Sequence, residues 1–167
     1  MQGHIQIKED KNMERKRLYI AYGSNLNVLQ MKMRCPGARV IGTAMLKGYE
    51  LLFKGSKTGS YLTIEPKKDS EVPVAVWEVS EWNEKSLDRY EGYPVFYYKK
   101  ENIKLTCESK NGRPRVVYGF AYIMHESHEL GIPSDRYVNV CLDGYESFGF
   151  DRKYLRAAYE KSEEVCA

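Results

Sequence analysis

Two short segments of this 167-residue chain carry residue types that could do chemistry. The first is Tyr22-Gly23-Ser24-Asn25. There the apolar run Leu18-Tyr19-Ile20-Ala21-Tyr22 stops at a glycine, followed by two residues of the kind that cap helices. A strand, a glycine turn and a helix start in that order leave several backbone N–H groups unpartnered and pointing one way, a cradle for an anion or a polarised carbonyl. The second segment is Leu87-Asp88-Arg89-Tyr90-Glu91-Gly92-Tyr93-Pro94. On a helix, Leu87 and Glu91 share a face, as do Leu87 and Tyr90. Leu87 must point inward for the helix to bury anything, which draws Glu91 toward the same interior and into the last turn, where the helix dipole is negative. Desolvation and dipole both disfavour the carboxylate there and raise its pKa toward the range of a general base. Asp88, expected nearer the surface, is a less strained carboxylate. A glycine turn alone is usually only a turn, and a Glu before a helix-ending Gly is usually on the surface. The combination is what points to a site.

The elements that must position these residues read as follows. A strand over 18–22 is followed by a helix from Asn27 to Arg34, stopped by Cys35-Pro36-Gly37. A strand pair is expected over 38–53 around Lys47-Gly48, a loop over 54–60, a strand over 61–64 ended by Glu65-Pro66, and a polar turn over 67–71. Residues 72–79 alternate as a strand. Ser80 caps a helix from Glu81 to Glu91, ended by Gly92. Long strands over 96–106 and 115–124 flank a hairpin loop at Lys110 to Pro114. Pro133-Ser134 opens a helix to about Cys141, and Asp151 caps a final one to about Glu163. This order predicts an α+β fold, a small mixed or antiparallel β-barrel with peripheral helices, as a single domain over 18–167. Residues 1–17, mixed in charge, are expected to form a mobile arm.

Composition narrows the function classes. The chain is long enough for a core without staples, and 14 Tyr against 5 Phe and 2 Trp suit a β-rich domain with polar-tipped cavity walls. A net charge of +3, from 26 basic and 23 acidic residues without a basic stripe, argues against a nucleic-acid partner. No stretch approaches the length of a membrane span, and no apolar signal segment leads the chain, so neither membrane nor secretion is expected. Cys35, Cys107, Cys141 and Cys166 form no Cys-x-x-Cys pair and read as free thiols of a reducing, cytoplasmic setting. His125 and His128 lie in a polar loop without a third ligand of clear spacing, so no metal is expected.

Taken together, Tyr22-Gly23-Ser24-Asn25, the strand Val74-Ala75-Val76-Trp77, Leu87-Asp88-Arg89-Tyr90-Glu91-Gly92, the aromatic run Phe96-Tyr97-Tyr98 and Pro133-Ser134-Asp135-Arg136-Tyr137 resemble, in order and spacing, the signature of the gamma-glutamylcyclotransferase superfamily, which includes the AIG2-like proteins. The resemblance spans about residues 18 to 160. It implies a cofactor-independent enzyme. In its reaction the α-amine of a γ-glutamyl group attacks its own γ-carbonyl, closing 5-oxoproline and expelling an amino acid or amine. By resemblance Glu91 is the general acid/base, and Tyr19, Ile20, Ala21, Tyr22, Gly23, Ser24, Asn25 and Tyr137 bind the substrate. Two positions bear on the branch. Asn25 stands where the glutathione-degrading branch usually carries Leu. Ser60-Tyr61-Leu62 stands where the family often has a Gly or Ala pair before Thr-Ile, which would alter leaving-group preference if these residues line the pocket. The expected partner is a small γ-glutamyl substrate, with the protein a monomer or homodimer. The competing reading is a non-catalytic module of the same fold that binds a small ligand or a partner protein.

Overall fold

The computed structural model describes residues 15–56 and 59–167. Six strands and four α-helices alternate in the order β1 (Arg17–Ala21), α1 (Val28–Arg34), β2 (Arg39–Ser56), β3 (Gly59–Val79), α2 (Glu81–Glu91), β4 (Tyr97–Glu108), β5 (Pro114–Met124), β6 (Glu129–Leu130), α3 (Asp135–Phe148) and α4 (Lys153–Cys166). The sheet runs β3-β1-β5-β4-β2-β6, and β2 also pairs with β3. Five strands therefore close into a barrel, with β6 appended to β2. Only β1 and β5 pair in parallel, at Tyr19 and Phe120; the other pairings are antiparallel. The expected mixed barrel with peripheral helices is the fold observed.

β1 is a short stave paired to β3 on one side and β5 on the other: Ile20 faces Val76 and Ala21 faces Ala75 across the β3 ladder, and both are fully buried. Its first residue, Arg17, faces Val79 and donates to Glu84 at 2.9 Å, so the chain is already anchored there. The expectation of a mobile arm otherwise concerns residues 1–14, which lie outside the described residues.

The expected strand pair over 38–53 is instead one strand, β2, and the elements read over 59–79 are likewise one strand, β3. The ladder passes from Lys47–Glu71 directly to Tyr49–Pro66. Gly48 and the polar run 67–70 are thus looped out at a shared bend while the same two strands continue pairing on either side. A bulge of this kind lets long strands curl around a small barrel. The local break signals were real, but the strands keep the same partners beyond them. The expected loop over 54–60 is mostly hairpin ladder, with Lys54 facing Tyr61 and Gly55 facing Ser60.

α2 matches its predicted ends. Ser80 and Asn83 form a reciprocal capping box at 3.0 and 3.1 Å, and Gly92 ends the helix in the left-handed region at φ 63°. α3 runs about two turns beyond the expected stop near Cys141. Gly144 is no terminator. A Cβ there would stand 2.6 Å from Leu26 Cβ and 2.7 Å from the Leu26 carbonyl carbon. The glycine lets α3 lie directly against the turn that follows β1, and Asn27 Nδ2 ties that turn to the Val140 carbonyl at 3.2 Å. At α4 the Asp151 carboxylate accepts from the Lys153 N–H at 2.9 Å.

Candidate active site

After Ala21 the chain leaves the barrel through Tyr22 and Gly23 into a single 3₁₀ turn, Ser24–Leu26, closed by Leu26 N–H to the Gly23 carbonyl and Asn27 N–H to the Ser24 carbonyl. Among the described residues the N–H groups of Gly23, Ser24 and Asn25 have no backbone partner. They border a cavity of about 340 Å³, at the small end of the range of about 300–1,000 Å³ for small-molecule sites. A Cβ on Gly23 would approach Leu62 Cβ to 3.3 Å and Tyr137 Oη to 3.5 Å, so this backbone lies tight against β3 and α3.

Glu91 reaches the same cavity from the last turn of α2. Its Oε1 accepts from Asn25 Nδ2 at 3.3 Å, and the same amide nitrogen donates to Tyr19 Oη at 2.9 Å. The cradle and the carboxylate that sequence placed 66 residues apart are thus in contact. The residue as a whole is half-buried, yet its carboxyl end sits among tyrosines. Desolvation raises the Glu91 carboxyl from 4.5 to about 7, with the Arg34 guanidinium pulling the other way. Burial also pushes the hydroxyls of Tyr19, Tyr22, Tyr97 and Tyr137 well above their ordinary range, so they remain neutral hydrogen-bonding groups. Burial likewise lifts the Cys35 and Cys141 thiols to about 11 and about 12, which excludes both as thiolate nucleophiles at neutral pH.

Of the residues that sequence placed in the site, Tyr19, Tyr22, Gly23, Ser24, Asn25, Glu91 and Tyr137 all border the cavity. Ile20 and Ala21 do not: both side chains are fully buried in the core. Tyr22 contributes its ring, because its hydroxyl donates to the Tyr122 carbonyl at 2.5 Å. Tyr137 is both a packed residue and a wall residue. It stacks edge-on against Phe53 and Tyr61, and its Oη accepts from the Leu62 N–H at 3.0 Å. Tyr97 donates to the Leu62 carbonyl at 2.9 Å, so both polar groups of one β3 residue are held by tyrosines. Tyr61 and Leu62 border the cavity, whereas Ser60 is buried elsewhere.

Sequence reasoning missed Arg34, Tyr90, Arg89 and Phe96. Arg34 lies with its guanidinium 3.4 Å from the Tyr90 ring centroid and donates to Asn25 Oδ1 at 2.5 Å. The Tyr90 hydroxyl lies 3.3 Å from Ser24 Oγ. Arg89 and Phe96 border the cavity. Asp88 does not itself border the cavity; it accepts from Lys99 Nζ at 2.8 Å and from Oη of Tyr122, a residue of the cavity wall, at 2.5 Å. Among the described residues no group of His, Cys, Asp and Glu side chains is arranged to hold a metal ion.

A five-stranded mixed barrel here carries a small cavity with free N–H groups on one side and a near-neutral carboxyl on the other, dimensions and chemistry that suit a small polar molecule. The chain belongs to the family described as gamma-glutamyl cyclotransferase, AIG2-like, whose model matches residues 19–139, and it is an enzyme of that kind. It is 32% identical over 145 residues to the gamma-glutamylcyclotransferase of Homo sapiens, covering 82% of this chain and 74% of that protein. It is 31% identical over 146 residues to the Bos taurus enzyme of the same name, covering 83% and 75%. A solved structure named gamma-glutamyl cyclotransferase superposes with a TM-score of 0.72 at 28% identity, over 89% of this chain and 87% of that one.

Proposed function

We propose that this enzyme closes the γ-glutamyl group of a γ-glutamyl amino acid or amine into 5-oxoproline and releases the free amino acid or amine. The observation that carries the reading is the contact between Glu91 and Asn25, which brings a carboxyl raised to about 7 onto a turn with unpartnered N–H groups, inside one cavity. The substrate's α-ammonium gives a proton to the Glu91 carboxylate. The freed amine attacks the γ-carbonyl carbon, forming a C–N bond and an oxyanion. Collapse of that intermediate breaks the original amide C–N bond as Glu91 returns its proton to the departing nitrogen, and the surplus proton on the ring nitrogen then passes to the released amine, leaving a neutral lactam N–H and an ammonium. No water and no cofactor enters the balance. A carboxyl titrating near neutrality suits both proton transfers. The N–H groups of Gly23, Ser24 and Asn25 receive one of the substrate's charged oxygens, the α-carboxylate or the oxyanion.

Much of the acceleration comes from holding the glutamyl chain bent, since the reacting amine and carbonyl belong to one molecule. The tight walls at Leu62, Tyr97 and Tyr137 support that role. Tyr61 and Leu62, larger than the small residues common at that point in the family, sit where they can shape the leaving-group end. The four free cysteines favour a reducing, cytoplasmic setting, and no helix among the described residues is long and apolar enough to cross a membrane. The test is to incubate the protein with a panel of γ-glutamyl amino acids and amines and assay 5-oxoproline. Product from at least one member, abolished by Glu91→Gln in a folded variant, is the expected result. No product across the panel, or an active Glu91→Gln protein, overturns it.

A further inference from the structure

The Asn25 side chain offers one acceptor oxygen and one donor nitrogen, and three groups meet it. Arg34 Nη1 lies 2.5 Å from Oδ1, while Tyr19 Oη and Glu91 Oε1 lie 2.9 and 3.3 Å from Nδ2. The orientation of this amide follows from chemistry. A guanidinium only donates and an ionised carboxylate only accepts. Turning the amide over would set Oδ1 against the carboxylate and the NH₂ against the guanidinium, replacing two hydrogen bonds with two repulsions. Arg34 is itself held on two further sides. Its guanidinium lies on the Tyr90 ring, and its Nη2 donates to the Gln30 side chain one turn earlier on α1. Tyr90 is adjacent to Glu91 on α2, and its hydroxyl meets Ser24. The 3₁₀ turn, the end of α1 and the end of α2 are thereby closed into one ring of contacts, while Arg34 does not border the cavity.

We propose that Arg34 is a positioning residue for the cyclisation, locking the Asn25 amide so that its NH₂ anchors one oxygen of Glu91 and leaves the other to exchange protons with the substrate. This rests on Glu91 being the base of the proposed reaction. Tyr19 from β1, Tyr22 just beyond it, Tyr97 from β4 and Tyr137 from α3 face the same region and stay neutral, and Asp88 is tied to Lys99 and Tyr122. Arg89 also borders the cavity, but Arg34 is the charged group whose field lowers the Glu91 carboxyl.

The test compares wild type, Arg34→Met and Arg34→Lys. It reads kcat and KM for a γ-glutamyl amino acid across pH, and follows the Glu91 carboxyl by ¹³C NMR with Glu91→Gln to assign the resonance. For Arg34→Met, kcat is expected to fall about 10- to 100-fold, with KM changed less than about threefold. Both the acidic limb of the rate profile and the NMR titration move to higher pH. Arg34→Lys keeps the charge but loses the planar fork, so it restores the titration midpoint and recovers only part of kcat. An Arg34→Met protein with unchanged kcat and an unmoved Glu91 midpoint, differing only in thermal midpoint, overturns the proposal and leaves Arg34 as packing on Tyr90. Should Arg34→Met not fold, an Arg34→Lys protein with full kcat overturns it, since stacking and the fork would then be dispensable. A wild type that forms no 5-oxoproline defeats the reading of the reaction and the positioning role with it, whereas an active wild type with an unaffected Arg34→Met protein defeats the positioning role alone.

Discussion

Replacing Glu91 by Gln should make the protein more stable and nearly inactive, and the size of the gain follows from the site. A carboxyl raised from 4.5 to about 7 represents about 3 kcal/mol at about 1.4 kcal/mol per pH unit. The sign is fixed by linkage. The folded state binds this proton more tightly than the unfolded chain does. Below 4.5 both states are protonated and the group contributes nothing. Between 4.5 and about 7 the unfolded chain releases the proton while the folded one keeps it, so stability is progressively lost as pH rises. Above about 7 the folded protein holds a desolvated anion and the penalty is complete. Glutamine is neutral throughout. Urea denaturation should therefore find Glu91→Gln more stable than wild type by up to about 3 kcal/mol near pH 8, and by less than about 1 kcal/mol near pH 5. Turnover should fall by about 10² to 10⁴ with the loss of a general base. A variant less stable than wild type near pH 8, or a difference that does not change with pH, would refute the claim that Glu91 is held as a desolvated carboxyl.

Three further substitutions probe the supports. Gly144→Ala places a methyl 2.6 Å from Leu26 Cβ and 2.7 Å from Leu26 backbone. It should destabilise the fold by about 1–3 kcal/mol and lower kcat/KM by displacing the turn at Ser24, both read by denaturation and steady-state kinetics. Tyr137→Phe leaves the Leu62 N–H without its acceptor, costing about 1–3 kcal/mol; a rise in KM should accompany the loss, and a neutral variant would show that the hydroxyl is idle. Asn25→Asp keeps the acceptor for Arg34 but removes the donor to Tyr19 and Glu91 and sets a second carboxylate beside the first. The acidic limb of its rate profile should move to higher pH.

Sequence showed most clearly what is decided locally. Both ends of α2 were legible because Ser80 and Gly92 make their contacts within one turn of themselves, and the inward face followed from the spacing of Leu87 and Glu91. The expected stop of α3 near Cys141 fell short because what carries the helix on past Gly144, its close fit to the backbone of Leu26, lies across the structure. The bend shared by β2 and β3 carried correct break signals at Gly48 and Pro66. Whether a chain changes partner after a break depends on the ladder, which no local signal encodes. Ile20 and Ala21 entered the predicted site, beside Tyr19 and Tyr22, through the family resemblance. As part of a barrel stave both are packed in the core, and of the β1 residues only Tyr19 reaches the cavity. Arg34 gave no site signal, because a basic residue in the last turn of a helix is already accounted for by the helix dipole. Its role comes from the crossing of α1 and α2 over the Tyr90 ring.

The proposed chemistry asks two opposite things of Glu91, to take a proton from an ammonium and to give one to a leaving nitrogen. Aromatic burial alone would lift the carboxyl further and keep it protonated, able to donate but not to accept. A guanidinium in direct contact would hold it ionised, able to accept but reluctant to return the proton. In this structure Arg34 acts on Glu91 from the far side of a neutral amide, with Asn25 bonded to both. The cation is close enough to oppose desolvation and too far to form an ion pair with the base. An asparagine is suited to that gap because one end accepts from arginine while the other donates to carboxylate. Leucine at this position could do neither, and would leave the burial of Glu91 without its counterweight.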